Sequence, residues 1–173
     1  MYNVNDVVVY GNTGVCRVVD IGTPQFHGVD KKQCYYTLKP IFGDGVIYCP
    51  VDNNRVFIRL VISKEEAEKV IAAIPSIKAE AYHNRSTQLL SEHYCEAINS
   101  HSCKELIELI MSIYQKKQSL IGQKRRLGQV DERFMKRAQN LLYGELAVAL
   151  GIEIDDVERY IASKVEETEL SNV

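Results

Sequence analysis

The 173-residue chain contains no tryptophan, and its five cysteines form no CxxC pair. It has no uninterrupted apolar run near the ~18 residues that span a membrane. It also shows no basic stretch followed by an apolar core and a cleavage site. These absences predict a cytoplasmic protein in a reducing compartment, with Cys16, Cys34, Cys49, Cys95 and Cys103 as thiols rather than bridges. Catalytic patterns are missing too. No residue sits on a recognisable nucleophile turn, and the pairs Gly11/Gly14 and Gly43/Gly45 fall between predicted strands, away from the helix N-terminus that phosphate binding exploits. His93-x-Cys95 and His101-x-Cys103 hold zinc-binding residue types. Residues two apart on a helix point roughly 200° apart, so His93 and Cys95 cannot face one ion, and we read surface histidines and packed cysteines. The expectation is a non-enzyme without metal or cofactor.

The residues that are present divide into two kinds. Hydrophobic residues make up 46% of the chain and charged ones 25%, enough to give each half a core of its own. Composition shifts near residue 62, which predicts an all-β domain over 1–62 and an all-α domain over 63–173: a segregated α+β fold. In the first part, strands are expected at Asp6 to Tyr10, Val15 to Ile21, Gln33 to Lys39, Val46 to Pro50 and Val56 to Leu60, cut by glycine turns. Five short strands of this kind usually curl into a small barrel.

Val46-Ile47-Tyr48-Cys49 is the candidate edge strand. An exposed edge offers unpaired backbone amides to a partner strand. A strand used entirely inside the barrel is the equal alternative.

The second part predicts about five helices. Ser63/Glu66 and Ser102/Glu105 read as capping boxes that open two of them, and a further helix spans Ser86 to Ile98. Asp131 is expected to start a long helix with Phe134, Ala138, Leu141, Leu142, Leu146 and Val148 inward, stopped at Gly151. A last helix is expected from Ile154 to Val165, with Glu166 to Val173 frayed.

Formal net charge is −2, which argues against coating nucleic acid by bulk electrostatics. The charge is uneven, however. Lys116, Lys117, Lys124, Arg125, Arg126, Arg133, Lys136 and Arg137 form a basic belt broken only by Asp131 and Glu132. Such a run is either a solvated helix face or a phosphate contact.

These pieces, in this order, resemble the CarD/CdnL family of bacterial transcription regulators, whose barrel is shared with the transcription-repair coupling factor. The residues that carry the resemblance are Val7-Val8-Val9-Tyr10 with Gly14, Tyr36-x-Leu38-Lys39-Pro40, Ile47-Tyr48-Cys49-Pro50-Val51-Asp52-Asn53 and Leu141-Leu142-Tyr143-Gly144-Glu145-Leu146-Ala147. The resemblance implies a five-stranded Tudor-like barrel that grips the β subunit of RNA polymerase. It also implies a helical domain on promoter DNA at the upstream fork of the transcription bubble, where it modulates open-complex stability. The polymerase contact maps onto Val46, Ile47, Tyr48 and Cys49, with help from the hairpin around Phe26.

Two departures from the family stand out. Arginines that some relatives place on the polymerase face correspond here to Pro24 and Tyr48. The tryptophan wedge of the family falls at Thr87, and an apolar wedge unstacks a base step by bulk that threonine lacks. DNA contact then leans on Lys124, Arg125, Arg126, Arg133, Lys136 and Arg137. The expected chain is a monomer, with a strand-exchange dimer as the other arrangement, and a protein–protein adaptor that uses the same edge without DNA is the alternative function.

Overall fold

The β-branched and aromatic runs of the first part form five strands in the computed structural model, which describes residues 1–25 and 32–171. They are β1 (Val7–Tyr10), β2 (Gly14–Gly22), β3 (Tyr35–Pro40), β4 (Ile47–Pro50) and β5 (Ile58–Leu60). The sheet order is β4-β3-β2-β1-β5 and every pairing is antiparallel. The chain divides into two compact units, Met1–Val61 and Ile62–Val173.

The first unit is a half-barrel. β2 supplies its bend, because the register with β3 slips between Val18 and Asp20 and leaves Val19 as the extra residue of a β-bulge. Val8, Cys16, Val18, Tyr36, Leu38 and Cys49 fill the concave side as the core. Each large apolar side chain withdrawn from water there contributes about 1.5–3 kcal/mol. Tyr2 spans the opening: its backbone N–H donates to the Tyr36 hydroxyl at 3.0 Å, and its own hydroxyl donates to the Ile58 carbonyl at 3.0 Å. It thereby links β3 to β5 without a strand between them.

Five helices make the second unit: α1 (Lys64–Ala72), α2 (Thr87–Asn99), α3 (Cys103–Gly122), α4 (Gln129–Leu150) and α5 (Val157–Ser171). The capping box at Ser63 and Glu66 forms, with both reciprocal bonds present. The one expected at Ser102 does not. Ser102 stands at the N-cap of α3 without a side-chain cap, and its own N–H is taken by the Ser100 hydroxyl at 3.2 Å. α4 begins two residues before Asp131, which sits at the third helical position and accepts the Gly128 N–H at 3.3 Å. Gly151 ends α4 at φ 69°, a left-handed conformation that an L side chain would strain. The segment expected to fray after Val165 is instead part of α5, which runs on to Ser171.

Phe134, Ala138, Leu142 and Leu146 are buried as expected, while Leu141 and Val148 are half-buried. α3 and α4 lie antiparallel, joined by a six-residue connection. Two buried polar contacts fix their register. At one end the Cys103 thiol donates to Glu145 Oε2 at 3.3 Å, and Oε1 of the same carboxylate accepts the Ile62 N–H at 3.1 Å. At the other, Lys116 Nζ lies 2.8 Å from Asp131 Oδ1, which also accepts the Tyr94 hydroxyl at 2.8 Å. Burial together with this bond pushes the Tyr94 hydroxyl far above its ordinary range.

Candidate functional site

β4 pairs with β3 alone, so among the described residues its other side is a sheet edge. The direction of its main chain follows from the ladder. The Val51 N–H donates to the Cys34 carbonyl at 2.9 Å, and the register pairs Tyr36 with Cys49 and Leu38 with Ile47. Hydrogen-bonded pairs alternate in an antiparallel ladder, so Ile47 and Cys49 bond toward β3 while Tyr48 and Pro50 direct their main chain outward. The Tyr48 N–H and carbonyl thus lie on the side of β4 away from β3, where Pro50 has a carbonyl only. Proline is tolerated here because its missing N–H faces away from the sheet.

Side chains alternate as well. Cys49 is buried and Ile47 packs against the half-barrel core, whereas Tyr48 is 39% exposed and the neighbouring Val46 is 50% exposed. Burial pushes the thiols of Cys16 and Cys49 up, Cys16 to about 11. Both are poor nucleophiles, so the cysteine nearest the edge acts as packing rather than as a reactive group. Phe26 lies outside the described residues.

The DNA-contact residues named from the sequence gather at one end of the second unit. α2 runs antiparallel to α3, since three residues join the end of α2 to the start of α3 while Tyr94, earlier on α2, and Lys116, later on α3, meet on the same Asp131 oxygen, and α3 runs antiparallel to α4. The start of α2, the end of α3 and the start of α4 therefore share that end. Thr87 is the exposed first residue of α2, Lys124, Arg125 and Arg126 are exposed in the α3–α4 connection, and Arg133, Lys136 and Arg137 are exposed on the early turns of α4. Arg133 and Arg137 are four apart with Lys136 between, so they occupy one helix face, and the Arg133 guanidinium lies 5.3 Å from the Phe134 ring centre.

Lys116 is a correction to the belt: it is 7% exposed and ion-paired inside the unit. Its signal was in the spacing, because Leu106, Leu109, Ile113 and Lys116 share the buried face of α3. The sequence reading also passed over Arg85, exposed just before α2, and the exposed Leu89, Tyr114 and Ile121.

The α3–α4 connection is built by a C-terminal turn. The Lys124 N–H donates to the Ile121 carbonyl at 2.9 Å and the Arg125 N–H to the Leu120 carbonyl at 2.8 Å, with Lys124 at φ 56°. This is the Schellman arrangement, whose left-handed position is usually glycine. Cations there offset the negative end of the α3 dipole. That account does not reach Arg133, Lys136 and Arg137, which follow the positive end of α4.

Among the described residues the half-barrel sheet has two edge strands, β4 and β5, and the helical unit carries exposed cations at one end. Residues 2–62 match the family model of the CarD-like/TRCF RID domain. The first unit is a CarD-like/TRCF RID domain. The match ends where the half-barrel ends, at the lead into α1. Among the described residues no helix is long and apolar enough to cross a membrane.

Proposed function

We infer that the chain is a non-enzymatic transcription regulator that docks on the β subunit of bacterial RNA polymerase through the β4 edge. In this reading the basic end of its helical unit meets upstream promoter DNA and shifts the balance between closed and open promoter. One observation carries it. Among the described residues β4 pairs with β3 alone, at the edge of a domain that matches the RID family, and a strand with such a side is what addition of a partner strand requires. The cations at the ends of α3 and α4 supply salt-sensitive, sequence-independent attraction. A regulator of this kind acts only through its differential affinity for the two promoter states, so the sign of its effect follows from which state it grips more tightly.

The test is binding of the full chain to an isolated polymerase β-lobe fragment, wild type beside a Val46→Asp, Tyr48→Asp double variant. Both positions are exposed, so the variant keeps its core, and thermal melting verifies that. Loss of binding in a folded variant supports the docking edge. A wild type that ignores the lobe overturns it.

The adaptor reading, in which the helical unit binds a protein instead, is favoured by Thr87 standing where a wedge would be. Duplex binding that falls steeply between about 50 mM and about 200 mM salt separates the two, because an adaptor shows no DNA affinity at either concentration.

A further inference from the structure

Cys103, Ile107, Ile110, Tyr114, Lys117 and Ile121 are spaced four and three apart, so they share one face of α3. Along the first half of the helix this face is covered: Cys103 and Ile107 are buried and Ile110 packs against the core. Along the second half the same face emerges from the unit, leaving Tyr114 49% and Ile121 55% exposed, with Lys117 exposed between them. Two large apolar side chains thus flank a cation on a face that, among the described residues, no other element covers.

Charge selects the partner. A helix from another protein would bury Lys117 on an apolar seam, at a cost unless it brought a carboxylate. A nucleic-acid strand supplies both chemistries at once: phosphates for Lys117 and a base face for the Tyr114 ring. The face also leads into a cationic turn, because the backbone bonds of Lys124 and Arg125 to Ile121 and Leu120 hold those residues against the last turn of α3.

We propose that Tyr114, Lys117 and Ile121 form a platform for unpaired nucleotides, continuous with Lys124, Arg125 and Arg126, on which a base stacks against Tyr114. The proposal rests on the nucleic-acid reading above and adds that the helical unit holds single strand as well as duplex.

Fluorescence anisotropy of the full chain with a labelled oligothymidine of about 16 nucleotides, beside a duplex of equal length, tests it. The expected result is that Tyr114→Ala weakens single-strand binding about tenfold, within the range of one base–aromatic stack, and leaves duplex binding nearly unchanged. Tyr114→Phe restores the stack, whereas Tyr114→Leu, apolar but without a ring system, does not. Alanine at Lys124, Arg125 and Arg126 together weakens both ligands. Single-strand binding indifferent to Tyr114→Ala, with duplex binding intact, overturns the platform and leaves the nucleic-acid reading standing. A wild type that binds neither ligand overturns both. Self-association of the wild type in sedimentation, lost in Tyr114→Ala without single-strand binding, assigns the face to a second copy and overturns the platform.

Discussion

Lys116 and Asp131, fifteen residues apart in sequence, meet at 2.8 Å inside the helical unit, and the Tyr94 hydroxyl closes on the same carboxylate oxygen. All three helices that reach the basic end are fastened there. Asp131→Ala strips a buried ammonium of its partner and a buried hydroxyl of its acceptor. The expected destabilisation is about 3–5 kcal/mol, as for other broken buried pairs. Tyr94→Phe removes one charge-assisted bond and costs less, about 1.5–3 kcal/mol. Urea unfolding of the two variants gives the order, and equal losses would count against the node.

At the β4 edge, neighbouring residues make opposite predictions. Tyr48→Pro removes an N–H on the side of β4 away from β3, so the β3–β4 ladder keeps its bonds and polymerase-lobe binding falls. Cys49→Pro removes an N–H that faces β3, so it breaks a ladder bond and costs stability before binding is measured. Thermal melts paired with lobe binding distinguish the two. A Tyr48→Pro protein that melts as early as Cys49→Pro would contradict the strand's assigned direction.

Lys124 occupies a left-handed position that glycine fills without strain. Lys124→Gly is expected to stabilise the helical unit by about 0.5–1 kcal/mol while lowering DNA affinity and reducing the salt slope by about one phosphate contact. Stability and affinity moving in opposite directions is the signature. A variant that binds DNA as tightly as the wild type would reduce Lys124 to a dipole cap.

Cys16 has its thiol raised from 9.0 to about 11 because burial disfavours the thiolate. Folding therefore holds a proton that the unfolded chain releases first. The contribution to stability is complete below pH 9 and is lost as pH rises toward 11. Denaturation midpoints measured across that window should fall in the wild type and fall less in Cys16→Ala. At pH 8, a thiol reagent should label the exposed Cys34 well before the buried Cys16 and Cys49.

The five strands, the Ser63 capping box and the Gly151 stop were legible because each has a local cause: β-branched runs between glycine turns, a reciprocal side-chain pair, a left-handed terminus. Ser102 shows the limit of local reasoning. Its sequence pattern matches Ser63, but the N–H it would have traded is taken by Ser100. Lys116 shows the same limit for charge: a lysine in a basic run reads as surface until its phase with Leu109 and Ile113 is set beside Asp131 on the next helix. At the candidate site, the apolar run Val46 to Cys49 in so small a module suggested an edge, with a strand used entirely inside the barrel as the equal alternative. Tyr114 and Ile121 did not stand out, because a helix face looks equally apolar whether or not another element covers it.

Pro50 also limits what the β4 edge can accept. On the side of this strand away from β3, Pro50 has no N–H to give, so a strand laid along β4 would meet a break in its ladder at that position. A longer β-sheet, in which copies of this chain stack edge on edge, meets the same stop at every junction. The proline that limits a partner's ladder is equally a guard against edge-to-edge aggregation.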